Sequence, residues 1–185
     1  MANQDVRDIV DLRIDFIVQN VSKTTMQCHY DDGWGPSTKD PKGEEGLQDC
    51  LLDRIQLCAR DQVSPTDYKW FDFSACLFKN QKATDTLTDH MRSFDLTVTY
   101  CAALTGFSAS RLTHCAKSEK GAALLEASHA VDVKLNPTVD AKGHRHPDWV
   151  QIAGKDYGSN TTADWLSAIC DAYTGAKPAS CRTGA

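Results

Sequence analysis

No two of the eight cysteines in this 185-residue chain lie closer than eight positions apart. That spacing excludes a Cys-x-x-Cys redox pair, and also the ligand pairs two to four residues apart on which structural zinc sites are built. Long apolar runs are missing as well: no window approaches the ~18 consecutive apolar residues of a membrane-spanning helix. The polar start Met1-Ala2-Asn3-Gln4-Asp5 has no apolar core of a signal peptide, which leaves a cytosolic chain or a mature form without its leader. There is no Gly-x-Ser-x-Gly elbow, no phosphate-binding loop, no internal repeat and no low-complexity tract. The basic residues are outnumbered, 20 Lys and Arg against 25 Asp and Glu, for a net charge of -5, and they are scattered. A polyanion needs a basic stripe, so nucleic acid is excluded as the expected partner.

The length suits one domain with a real core. The cysteines are Cys28, Cys50, Cys58, Cys76, Cys101, Cys115, Cys170 and Cys181. An even, scattered set beside two glycosylation sequons, Asn20-Val21-Ser22 and Asn160-Thr161-Thr162, points to an oxidising compartment and up to four disulfides. The competing reading is that some are buried thiols.

In residues 11–18 the alternation of Leu12, Ile14 and Phe16 with Arg13 and Asp15 has the period of a strand. Glycines, prolines and charges over 21–46 predict a long irregular loop bracketed by Cys28 and Cys50. Leu47, Leu51, Ile55 and Cys58 recur at helical spacing and predict a helix over 47–62; Ser64-Pro65 stops it and Asp67 offers a cap for a second helix over 67–80, with Trp70, Phe73, Leu77 and Phe78. A third helix over 88–103, with Met91, Val98 and Leu104 as core candidates, is weakened by the β-branched run 97–99 and ended by Gly106. Ser108 opens another, Lys120-Gly121 breaks it, and 122–131 completes the helical middle with Leu124, Leu125 and His129. Pro147 then precedes Val150 and Ile152, so it opens an edge strand or occupies a special turn, and Gly154 turns that strand into a hairpin with 155–158. A last helix runs from about 162 to 173 and stops at Gly175, with Cys170 and Cys181 on either side of the stop; their bridge would pin the tail to the helix. Strand, helices, strand, strand and helix describe an α/β domain, a small mixed sheet with a helical insertion over about 47–130.

The segments Cys101-x13-Cys115-Ala116, 121–127, 147–154 and 169–181 closely resemble the gamma-interferon-inducible lysosomal thiol reductase family, and the likeness covers nearly the whole chain. Cys28-His29 resembles the start of that family's Cys-Gln-His-Gly signature, Cys50-x7-Cys58 its next cysteine pair with Asp53 in place of an Asn, and all eight cysteines find a counterpart. The resemblance implies a disulfide-stapled thioredoxin-like fold with a helical insertion, a cis bond before Pro147, a secretory or lysosome-like origin, and reduction of protein disulfides without a bound cofactor.

Three departures bear on that activity. The family's Cys-x-x-Cys, between its first strand and first helix, has no equivalent here, so the attacking thiolate and its resolving neighbour are both missing. Asp148 stands between Pro147 and Trp149, placing a charge where a substrate backbone would dock, and Tyr30 with an acidic, glycine-rich insertion follows His29. The expected function is therefore a non-catalytic relative that binds a protein partner as a structural or binding subunit in a lumenal or extracellular setting. The alternative is a thiol–disulfide oxidoreductase whose redox pair lies outside this sequence.

Remaining constellations read as structural. His144 and His146 with Asp148 lack a third clustered ligand, so no metal is expected. His114 beside Cys115 would activate a thiolate, but the resemblance makes Cys115 a disulfide cysteine. Asp31, Asp32, Glu44, Glu45 and Asp49 lack calcium-loop spacing and read as a solvated loop face.

Overall fold

The computed structural model describes the backbone of residues 4–16, 18–22, 25–28, 44–80, 87–135, 150–158 and 164–182, and the side chains of 5–16, 50–80, 95–135, 150–157 and 164–182. In chain order the elements are α1 (Gln4–Arg7), β1 (Val18–Ser22), β2 (Thr25–Cys28), α2 (Glu44–Asp61), α3 (Lys69–Asn80), α4 (Leu87–Thr105), α5 (Ala109–Lys117), α6 (Glu119–Leu135), β3 (Val150–Ile152), β4 (Lys155–Gly158), α7 (Trp165–Ala172) and a 3-10 turn at Ala179–Cys181. Helix dominates. Among the described residues the expected small mixed sheet is replaced by two separate antiparallel hairpins, β1 with β2 and β3 with β4. Each pairs neighbours in sequence, the pairing with the smallest loop-closure cost.

The chain groups into two compact units, one from residues 1–14 and 133–185, the other from 15–132. In the second unit α2 packs on α3, α5 and β2, and α4 packs on both α3 and α5. Phe73 and Ile55 are fully buried, and Phe73 lies 5.6 Å from the Phe107 ring. Each such side chain contributes about 1.5–3 kcal/mol of transfer free energy. A smaller cluster joins Cys50 and Leu57 of α2 to Leu125 of α6, with Phe16 packed against it.

The alternation around Leu12–Phe16 does not make a strand: residues 11–16 pair with no ladder, and the first strand starts at Val18. The segment is instead tied at its end to a helix. The Phe16 amide donates to Ser128 Oγ at 2.9 Å, and the Ser128 hydroxyl donates to Asp15 Oδ1 at 3.0 Å. Ser128 is 1% exposed, so the hydroxyl satisfies itself and a backbone donor that would otherwise be buried unpaired. β2 and the last two residues of β1 lie within the stretch expected to be irregular; their mixed composition carries no alternation to announce them.

The helices begin and end close to where local chemistry puts them. α2 starts at Glu44, so Glu44 and Glu45 belong to a helix rather than to a loop. α4 runs through Thr97-Val98-Thr99, because burying Val98 to 2% exposure outweighs a propensity cost of a few tenths of a kcal/mol. It ends at Gly106, whose φ of +74° and the Phe107 amide bonded to Ala102 O at 2.8 Å form a Schellman cap. Ser108 Oγ caps α5 by accepting from the Arg111 amide. The break before α6 falls at Ser118, not Lys120-Gly121; Gly121 lies inside the helix, where a Cβ would stand 2.5 Å from Cys115 O. Glycine there allows α6 to pass directly over the end of α5.

In the first unit the β3–β4 turn is Ala153-Gly154, with φ of +48° and +81°, the two positive values that a type I′ hairpin turn demands. α1 meets the 3-10 turn, and α7 meets both that turn and β3. Asp164 Oδ1 caps α7 by accepting from the Ser167 amide at 3.1 Å. Among the described residues no helix is long and apolar enough to cross a membrane.

Candidate functional site: disulfide-braced helices with an apolar outer face

Cys58 of α2 is bonded to Cys115 of α5, Cys76 of α3 to Cys101 of α4, and Cys170 of α7 to Cys181 of the 3-10 turn. Each bridge joins elements that already pack on one another, with Cα atoms 6.2, 5.7 and 5.4 Å apart, inside the range a disulfide spans without backbone movement. Cys50 is disulfide-bonded as well. Cys58 and Cys101 are fully buried, an environment that disfavours a thiolate. His114 is exposed at the C-terminal end of α5, and the sulfur of the neighbouring Cys115 is held in its bridge, so no thiolate is available for the imidazole to activate.

The other sequence candidates divide by placement. Cys28 ends β2 opposite Val18, and Asn20 lies on β1 opposite Met26, just before an irregularity in the ladder; their side chains are outside the described residues. Pro147, His144, His146, Asp148 and Asn160 lie outside them altogether. Among the described residues no group of three or more His, Cys, Asp or Glu side chains is placed to hold a metal.

Two residues read as core candidates stand on the surface. Leu104 is 63% exposed and Phe78 61% exposed. Val98 and Leu104 are six residues apart on α4, about 240° around the helix, so one faces inward and the other out. Leu96 and Tyr100, at 65% and 54% exposure, complete a line with Leu104 at intervals of one helical turn. The signal was present in the sequence as an excess: residues 98–104 are apolar on more faces of the helix than one core can use. The Cys76–Cys101 bridge ties α4 to α3, and Asn80 donates to Cys76 O at 2.8 Å.

In the first unit the Asp5 carboxylate accepts from both the amide and the hydroxyl of Ser180, at 2.8 and 2.7 Å. These bonds hold its pKa below the ordinary carboxyl value, the backbone amide more than the hydroxyl. Together with the Cys170–Cys181 bridge they fasten the 3-10 turn to α1 and α7.

Comparison with protein-family models and with curated proteins finds no match to this chain.

Proposed function

We propose that this chain is a divergent relative of the gamma-interferon-inducible lysosomal thiol reductases, thioredoxin-like in ancestry, that serves as a protein-binding or structural subunit in a lumenal or extracellular compartment and performs no disulfide chemistry itself. The observation that carries the reading is the use of its cysteines. Cys58, Cys76, Cys101, Cys115, Cys170 and Cys181 all act as crosslinks between packed elements, and no two lie at redox-pair spacing. A reductase needs an exposed thiolate of low pKa and a close resolving thiol. The family reading draws its support from the cysteine pattern and the segments around Cys101, Pro147 and Cys170. The disulfides fit an oxidising compartment, where such bonds persist. The outward apolar line of Leu96, Tyr100 and Leu104 on α4 supports a protein partner.

Alkylation of the native protein followed by mass spectrometry tests the reading together with a turnover assay on a disulfide-bonded protein at acidic and neutral pH. The expected result is no alkylated cysteine, crosslinked peptides joining 58 to 115, 76 to 101 and 170 to 181, and no reduction of the substrate. Catalytic turnover by the purified chain in the presence of a small thiol would overturn it.

A further inference from the structure

We propose that the Cys170–Cys181 bridge is a redox-sensitive latch: a dithiol reductase of the Cys-x-x-Cys class reduces it at Cys181 ahead of the Cys58–Cys115 and Cys76–Cys101 bridges, and the 3-10 turn then lifts off α1 and α7.

What separates this bridge from those two is what remains once it is broken. Cys58–Cys115 and Cys76–Cys101 each join two helices that pack on one another, and Cys58 and Cys101 are fully buried. With either bond cut, the packed helices still hold both thiols face to face, so the local thiol concentration stays high and the bond re-forms. Cys181 has no such support. It ends a three-residue 3-10 turn that buries no side chain, reached from α7 through residues 174–177, all exposed. The bond from Arg182 Nε to Lys177 O, 3.2 Å, closes the tail on itself, and the solvent-exposed Lys177–Asp171 pair, 4.0 Å apart, adds little. Beyond the bridge, the turn is retained by Asp5, whose carboxylate accepts from the Ser180 amide and hydroxyl. Two hydrogen bonds hold a turn less firmly than a helix interface does, so reduction is followed by local opening. Opening uncovers the surfaces of α1 and α7 that pack on the turn, while α2, α3, α4 and α5 keep their two bridges.

Access sets the point of attack. Cys170 is 5% exposed, whereas Cys181 is half-buried. The reductant's thiolate therefore attacks Cys181 Sγ: a bond to the reductant forms as the Cys170–Cys181 bond breaks, and Cys170 leaves as a thiolate that takes a proton. The reductant's second thiolate then attacks the reductant sulfur of the mixed disulfide and releases Cys181, which is protonated in turn. Two electrons pass from the dithiol, which becomes a disulfide, to this chain, which gains two thiols. A bond reduced this readily is a weak source of electrons, so the chain is the substrate of such a reductase and not a reductase itself.

The native protein is titrated with dithiothreitol and, in parallel, with reduced thioredoxin, and the reduced fraction of each cysteine is read by differential alkylation and mass spectrometry. Cys170 and Cys181 should become alkylated together, with either reductant, at a ratio of dithiol to disulfide at least about tenfold below that required for Cys58, Cys76, Cys101 and Cys115. At that ratio the amides of residues 179–182 should lose hydrogen-exchange protection while those of α3 and α4 keep it. Asp5→Ala, which removes the acceptor for Ser180, should lower the ratio by a further factor of at least about three. Simultaneous reduction of these three bridges, earlier reduction of Cys58–Cys115 or Cys76–Cys101, or protection of 179–182 that survives reduction would each overturn the latch, and the first two readouts need no variant. An unchanged ratio in Asp5→Ala overturns it as well, and reduction by dithiothreitol with thioredoxin inert would sink the reductase as its agent. Disulfide turnover by the chain would sink the non-catalytic reading and leave the order of reduction standing.

Discussion

Asp5 shows how a single carboxylate couples pH to structure. Its two bonds from Ser180 favour the ionised form, so its folded pKa lies below the value of about 3.9 expected when the chain is unfolded. A depressed folded pKa stabilises the folded state fully above the unfolded value, and that contribution is lost as pH falls through the folded one. Thermal melts of the parent should therefore lose part of their stability as pH drops from about 5 towards 2. In Asp5→Asn that acid-dependent component should be smaller, and identical pH profiles for the two proteins would refute the coupling. Gly121 makes the opposite kind of point. By helix propensity alone, Gly121→Ala would stabilise by up to about 1 kcal/mol. Here the new methyl would meet backbone atoms of Cys115 and Ala116 at 2.5–2.7 Å, and backbone cannot rotate away. The expected outcome is a loss of about 1–3 kcal/mol in denaturant unfolding, the cost of overpacking.

At the scale of elements, β3 and β4 form a hairpin despite an imperfect turn. Ala153 adopts φ +48°, a region that costs an L-residue about 1–2 kcal/mol and that asparagine visits more readily. Ala153→Asn should therefore raise stability by about 0.5–1 kcal/mol, read as a higher melting temperature. A fall in melting temperature would mean that the turn does not hold these angles. α4 is the contrasting case, an element whose C-terminal end follows from a local signal but whose orientation does not. Its C-terminal cap is set by Gly106 and the Phe107–Ala102 bond. Which of its two apolar sides becomes core is decided by α3 and α5, which take Val98 and Cys101 and leave Leu96, Tyr100 and Leu104 outside.

For the molecule as a whole the disulfides set a hierarchy of stabilisation. Cys58–Cys115 closes 57 residues of sequence and Cys170–Cys181 closes 11. Chain-entropy loss in the unfolded state scales with the logarithm of the loop, about 4 kcal/mol for the first and about 3 kcal/mol for the second. Replacing Cys170 and Cys181 together by Ser should lower stability by about 3 kcal/mol and free the 3-10 turn, with Asp5 left as its remaining anchor. The double replacement of Cys58 and Cys115 by Ala should cost about 4 kcal/mol, because the longer loop regains more freedom. Equal unfolding midpoints for parent and either double variant under oxidising conditions would show that bridge to be absent.

The sequence by itself determined what depends on a few neighbouring residues. The helical spacing of Ile55 and Cys58, the Ser108 cap, the Gly106 stop and the Gly154 turn all act within one or two turns of chain, so they are legible without knowing what lies across space. The Cys170–Cys181 bridge across the stop of α7 belongs with these local features. Only the tertiary structure decided that Cys58 pairs with Cys115 and Cys76 with Cys101, because spacing fixes no distance between separate helices. It also decided that Phe16 and Asp15 dock on Ser128 instead of extending a ladder: an alternating pattern records which side of a segment is apolar, and a helix can cover that side as well as a strand. For the same reason the outer face of α4 showed in the sequence only as an excess of apolar positions. Periodicity counts apolar positions, and only packing shows which of them remain in water.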